Sequence, residues 1–210
     1  MNQREREVRV WDPLVRLFHW SLVIGFFVAW LSGEELARTH LLAGYVVTGL
    51  LVFRLVWGFV GTRHARFSDF LYPPAEIIAY LKSLVSGSPR RYLGHNPAGG
   101  AMILLLLVSL SGTVATGLVM DAGATAGEPP STSALSPSPE RRLAWLEEEH
   151  EAWEHEEEED EGEEALEELH EFFANFTLLL VFLHIAGVLV SSRLHGENLV
   201  RAMITGRKRA

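Results

Sequence analysis

Residues 170–192 read HEFFANFTLLLVFLHIAGVLVSS, and the reading of this stretch decides the fold. From Phe172 to Ser192 there is no Asp, Glu, Lys or Arg. A hydrocarbon core about 30 Å thick is crossed by roughly 20 such residues in a helix. Only a helix or a closed barrel satisfies its own backbone hydrogen bonds in lipid. Three more windows of this kind precede it, giving spans at about 14–32, 40–61, 98–120 and 172–192. None alternates polar and apolar residues with a period of two, so helices are expected rather than barrel strands. The expected fold is all-α: an integral membrane four-helix bundle in one domain over residues 1–210. A long acidic outer loop, an insert at about 122–168, joins the third and fourth helices.

Charge is segregated in the same way. Glu140 to Glu171 holds 17 of the 27 acidic residues against two arginines, and the rest of the chain sums to +6 although the whole carries −9. The acidity therefore belongs to one loop. Lys and Arg near the span ends set the orientation. The N-terminus, the 62–97 loop and the C-terminus carry nearly all of them, against Arg38, Arg141 and Arg142 on the other side. Both termini are expected in the cytoplasm of a bacterial inner membrane, with the 33–39 turn and the 121–170 loop outside. Trp11, Trp30 and Trp57 fall near span ends as an aromatic belt requires, although Trp20 does not. The first apolar run carries Arg16 and His19, and no Ala-x-Ala site follows Ser32, so a retained span is expected rather than a cleaved signal. With no cysteine, disulfides, iron–sulfur clusters and thioether-bound haem are excluded. No nucleic-acid partner is expected.

Between the spans, Ala122 to Pro139 is rich in Gly, Pro, Ser and Thr and reads as a flexible linker. Glu140 to Glu171 reads as a solvated, partly helical arm, since good helix formers there compete with like charges at i,i+4. His150 and His155 in that arm are five residues apart, which puts them on different helix faces and argues against a preformed metal site. Ile77, Ile78, Leu81 and Leu84 recur at helical spacing and predict a short amphipathic helix on the membrane face.

Ionisable residues inside spans are costly and point to function. His170 and His184 are 14 residues apart, about 3.9 helical turns, which returns them to nearly one face roughly 21 Å apart. His40 opens the second span at the outer level expected for His170, and His19 lies at the inner level of His184. Two cross-helix pairs result, His40 with His170 and His19 with His184. Each offers two imidazoles that fit the axial sites of a b-type haem held without covalent attachment. Gly44 and Gly187 leave room beside the ligands. Haem propionates call for cations, for which Arg16 and Arg54 are candidates inside and Arg38 outside. Taken singly, each histidine reads as interfacial. A zinc or copper site needs three or four ligands at one level, whereas the levels hold two each. His64, His95 and His195 read as loop histidines, with His95 helping to set the lead into the third helix ahead of Pro97. Gly112, Thr113, Thr116 and Gly117 read as packing positions of the third helix.

Several of these segments together resemble the bacterial cytochrome b561 family, which includes the b-type membrane subunits of nickel–iron hydrogenases. They are Arg16-x-x-His19-Trp20, His40-x-x-x-Gly44, Arg54-x-x-Trp57-Gly58-Phe59-Val60-Gly61, Gly94-His95-Asn96-Pro97 and the His170…His184 pair. The resemblance covers nearly the whole chain except the 122–168 insert. It implies two haems, with His19 and His184 as iron ligands inside and His40 and His170 outside, and quinone as the membrane partner. The acidic loop suits docking of a basic periplasmic redox protein such as a c-type cytochrome. The alternative within this class is a subunit that anchors a periplasmic hydrogenase or dehydrogenase. From other classes, a membrane protein handling metal ions through His and Glu, or a structural anchor, remains open.

Overall fold

The computed structural model describes residues 7–33, 36–126 and 139–209, with the side chains of 124–126 and 139–161 outside the description. In chain order the elements are β1 (Glu7–Arg9), α1 (Pro13–Ser32), α2 (Ala37–Val60), α3 (Pro74–Val85), α4 (Pro97–Ala126), α5 (Pro139–His195), α6 (Leu199–Thr205) and β2 (Arg207–Arg209), with single 3-10 turns at Arg63–Ala65 and Phe67–Asp69. Among the described residues four helical stretches are long and apolar enough to cross a membrane: Pro13–Ser32, Ala37–Val60, Pro97–Gly123 and Gly162–His195. The all-α reading with four spans therefore holds. Large apolar side chains such as Leu17, Ile24, Leu31 and Phe59 are 65–74% exposed along these helices. An apolar surface of this extent has lipid as its natural solvent.

The helix ends follow local chemistry. Asp12 caps α1, its Oδ1 accepting from the Val15 amide at 2.9 Å with Pro13 in the first turn. Asn96 does the same for α4, its Oδ1 accepting from the Gly99 amide at 2.7 Å. The acidic stretch departs from the expected partly helical arm: α5 is one continuous helix of 57 residues, about 86 Å at 1.5 Å per residue. Extending an existing helix adds a hydrogen bond per residue without a new nucleus, which favours continuity among good helix formers. Most of the expected linker, 127–138, and the side chains of His150 and His155 lie outside the described residues.

The chain divides into two compact units, Met1–Ser111 with Ala174–Ala210, and Gly112–Phe173. In the first unit α2 buries Ala43, Val47, Leu51, Arg54 and Gly58, a stripe at steps of three and four. Gly25 of α1 faces that stripe closely, since a Cβ there would lie 3.1 Å from Val47 Cγ2. Ser109 of α4 and Thr177 of α5, both buried, share a hydrogen bond of 2.7 Å. In α3, Tyr80 is buried while Ile78, Leu81 and Val85 stay exposed, as an interfacial amphipathic helix would have them. β1 pairs antiparallel with β2 in the register Glu7 to Arg209, Val8 to Lys208 and Arg9 to Arg207. Gly206, at φ 79°, turns the chain out of α6 into β2, and its carbonyl accepts from the amides of Val10 and Trp11 at 2.8 and 3.2 Å. In the second unit the first turns of Gly112–Ala126 pack on α5, where a Cβ on Gly112 would come within 2.7 Å of the Phe173 ring.

Candidate functional site

The first unit brings His19 of α1 and His184 of α5 together. Their ring centroids are 6.5 Å apart with planes inclined at 52°. Two imidazoles binding one metal from opposite sides, at roughly 2 Å per ligating nitrogen, have centroids about 6 Å apart. His19 Nδ1 is buried and has no hydrogen-bond partner among the described residues. A buried polar nitrogen without a partner is costly, and a metal ligated at that nitrogen would satisfy it. A Cβ placed on Gly44 or Gly187 would meet nothing within 4 Å, so space is open beside both. These features fit a b-type haem. Among the described residues no three His, Cys, Asp or Glu side chains come together as a metal-ion site.

The other two histidines lie in different units, His40 in the first and His170 in the second. His40 Nδ1 stands 2.9 Å from the Ala29 carbonyl, which only accepts, so this nitrogen carries the proton. His170 Nδ1 stands 3.0 Å from Thr116 Oγ1.

The arginines differ in setting. Arg54 is 5% exposed, with its guanidinium carbon 4.9 Å from the Phe67 ring centroid and 5.7 Å from that of Phe70, and its Nη1 has no hydrogen-bond partner among the described residues. Aromatic faces thus surround the buried guanidinium. Arg16 donates from Nη1 to the Ile204 carbonyl, while its Nε is buried without a partner among the described residues. Arg38 is exposed in the first turn of α2.

A second cluster escaped the sequence reading. His95 packs against Trp11 with centroids 4.5 Å apart and planes tilted by 44°, and meets the edge of Phe70 at 4.9 Å. Its pKa is pushed down to about 3 by burial first, then by the charges of Arg54, Lys208, His64 and His184. It is a neutral ring at cellular pH. His64 Nδ1 lies 2.8 Å from Asp69 Oδ2, and Arg63 reaches Asp69 Oδ1 at 3.6 Å. Gly94 abuts this pair, a Cβ there being 2.9 Å from His64 Nδ1. The only local signal was the Gly-His-Asn-Pro lead into α4, which speaks for a helix start but not for aromatic partners at Trp11 and Phe70.

The family described as prokaryotic cytochrome b561 matches residues 10–206. Probable Ni/Fe-hydrogenase B-type cytochrome subunits are among the relatives. That of Cupriavidus necator is 31% identical over 139 residues, 53% of this chain and 57% of the relative. That of Azotobacter vinelandii is 29% identical over 126 residues, 46% and 52% respectively, and that of Rhodobacter capsulatus 28% over 146 residues, 55% of each. The chain thus spans about half the length of the curated relatives it matches. No solved structure matches it. Four apolar helices, a facing histidine pair on α1 and α5 and a family match over nearly its whole length lead to one conclusion: the chain belongs to the prokaryotic cytochrome b561 family.

Proposed function

We propose that the protein is a di-haem b-type cytochrome carrying electrons between the quinone pool and a redox partner on the outer side of a bacterial inner membrane. The observation that carries this reading is the His19–His184 pair, with centroids 6.5 Å apart and His19 Nδ1 buried without a partner among the described residues. His19 and His184 would hold the inner haem, and His40 and His170 the outer one. When bound, haem supplies a one-electron couple. The chain's own residues do the rest. Arg54 brings positive charge into a dry aromatic surround, Arg16 and Arg38 extend that charge toward the two faces, and the apolar spans exclude water. Residues 1–210 act as one membrane domain, with 122–168 as its insert. Pairing of β1 with β2 supports termini on one side, and the weight of Lys and Arg there makes that side cytoplasmic.

Quinone is the membrane partner, and the acidic insert offers an electrostatic dock to a basic periplasmic protein such as a c-type cytochrome. A second reading has its own support: the relatives are named as hydrogenase cytochrome subunits, so a membrane anchor passing a hydrogenase's electrons to quinone fits as well. Haem quantification with a reduced-minus-oxidised spectrum on the purified protein tests the core of both. Two haems per chain are expected, and His19→Ala or His184→Ala should each remove one. Full haem content in both variants would sink the assignment of the inner pair. Co-purification of a large metalloenzyme would select the anchor reading, and of a small cytochrome the relay.

A further inference from the structure

Thr116 is buried on α4, and its Oγ1 lies within hydrogen-bond distance of three groups: the Gly112 carbonyl at 2.9 Å, the Thr113 carbonyl at 3.0 Å and His170 Nδ1 at 3.0 Å. A hydroxyl has one proton to give and two lone pairs to receive with. Both carbonyls can only accept, so the hydroxyl proton is shared between them, the usual back-bonding of threonine in a helix. The bond to His170 must then run the other way, from the ring N–H to the hydroxyl oxygen. A neutral imidazole protonated at Nδ1 keeps its lone pair on Nε2.

The ground around the ring is cleared for this bond. A Cβ on Gly117 would come 3.0 Å from His170 Cε1 and 3.3 Å from its Nδ1, and one on Gly112 would come 2.7 Å from the Phe173 ring. Gly112 and Thr116 fall at i and i+4 on one face of α4, where α5 approaches closely enough for the bond to form, and Gly117 borders that face beside the His170 ring. His40 likewise donates from Nδ1, to a different acceptor, the Ala29 carbonyl.

We propose that Thr116 is a positioning residue for His170. Its hydroxyl accepts a hydrogen bond from the Nδ1–H, which fixes the ring's orientation and tautomer and leaves the lone pair on Nε2, the nitrogen that would hold the haem. This rests on His170 being a haem ligand. A ligand histidine whose other nitrogen donates a hydrogen bond is the more basic for it, and hydrogen bonding around the ligand is one of the levers on a haem's reduction potential. With haem bound, this hydrogen bond would favour the oxidised iron and hold that haem's potential down.

The test is a potentiometric titration of the purified haem-loaded protein carrying Thr116→Val, which keeps the shape and drops the hydroxyl, beside Thr116→Ser, which keeps the hydroxyl. Thr116→Val should leave two haems per chain and raise one of the two potentials, by about tenfold in that haem's reduction equilibrium, or roughly 59 mV for a one-electron couple. Thr116→Ser should titrate like the wild type. Loss of one haem in Thr116→Val but not in Thr116→Ser would support the same role more strongly. Unchanged potentials in Thr116→Val, or a serine variant that shifts as the valine does, would overturn it. A His170→Ala protein that kept both haems would instead strike at the ligand assignment, so the two failures are separable.

Discussion

Asp12 joins two helices through one carboxylate. Its Oδ1 caps α1 through the Val15 amide at 2.9 Å, and its Oδ2 accepts from the Thr62 hydroxyl at 2.5 Å and the Trp57 indole at 3.4 Å. Burial works to raise its pKa, but the hydrogen bonds from Thr62, Val15, Trp57 and Leu14 outweigh it and hold the carboxyl below its ordinary 3.8. A carboxyl depressed in the folded state adds stability that is complete above the unfolded pKa and is lost as pH falls through the folded one. Asp12→Ala should therefore cost about 1–2 kcal/mol near neutral pH. Thermal unfolding in detergent over a pH series should show the gap to wild type closing below the ordinary carboxylate range, and a gap of constant size down to about pH 3 would contradict the account. The residue stood in the sequence as Asp-Pro before an apolar run, a legible helix start. Its bonds to Thr62 and Trp57 were not legible, because partners 45 and 50 residues away leave no local pattern.

At the scale of elements, glycines divide into those that packing requires and those it does not. A Cβ on Gly58 would overlap the Phe67 ring, the same ring that covers the Arg54 guanidinium, whereas one on Gly49 would meet nothing within 4 Å. Gly58→Ala should cost about 1–3 kcal/mol through overpacking, and Gly49→Ala should be neutral or stabilising by up to about 1 kcal/mol as helix propensity improves. Melting temperatures of the two variants check this, and equal responses would refute the packing argument. Whereas the fourth apolar stretch begins at Gly162 rather than near 172, the first three spans were readable to within a few residues because length and apolarity follow directly from bilayer thickness. The continuous helix through the acidic arm was not, since intrinsic propensity and like-charge repulsion oppose each other there and the neighbouring span decides. The three-residue strands β1 and β2 gave no signal at all: they are too short for a period, and the partners lie about 200 residues apart along the chain.

Across the whole molecule, the two chain ends and the loop before α4 are tied together by buried charge. Lys208 is 7% exposed, and its Nζ donates to the carbonyls of Leu93 at 3.0 Å and Tyr92 at 3.4 Å while standing 5.9 Å from the Trp11 ring centroid. Glu197, 8% exposed, accepts from the Arg209 amide at 3.0 Å and from Arg91 at 3.5 Å. Lys208→Met should leave the two carbonyls unserved, at a cost of about 1–3 kcal/mol, and open the 86–96 loop to limited proteolysis. Cleavage no faster than in wild type would argue that the loop is held by other contacts. In the sequence Lys208 was one more basic residue near a span end, indistinguishable from its exposed neighbours.

The sequence by itself determined four helical spans, the segregation of acid from apolar surface, and the histidines at positions 19, 40, 170 and 184. Each follows from a property local to one stretch: hydropathy over a bilayer's thickness, charge density, or spacing along a helix. Only the tertiary structure decided that His19 and His184 face each other at 6.5 Å, that Thr116 binds the ring of His170, and that His95 lies between Trp11 and Phe70. Those relations depend on how helices rotate about their own axes when their small residues interlock, and rotation leaves no trace in any single segment.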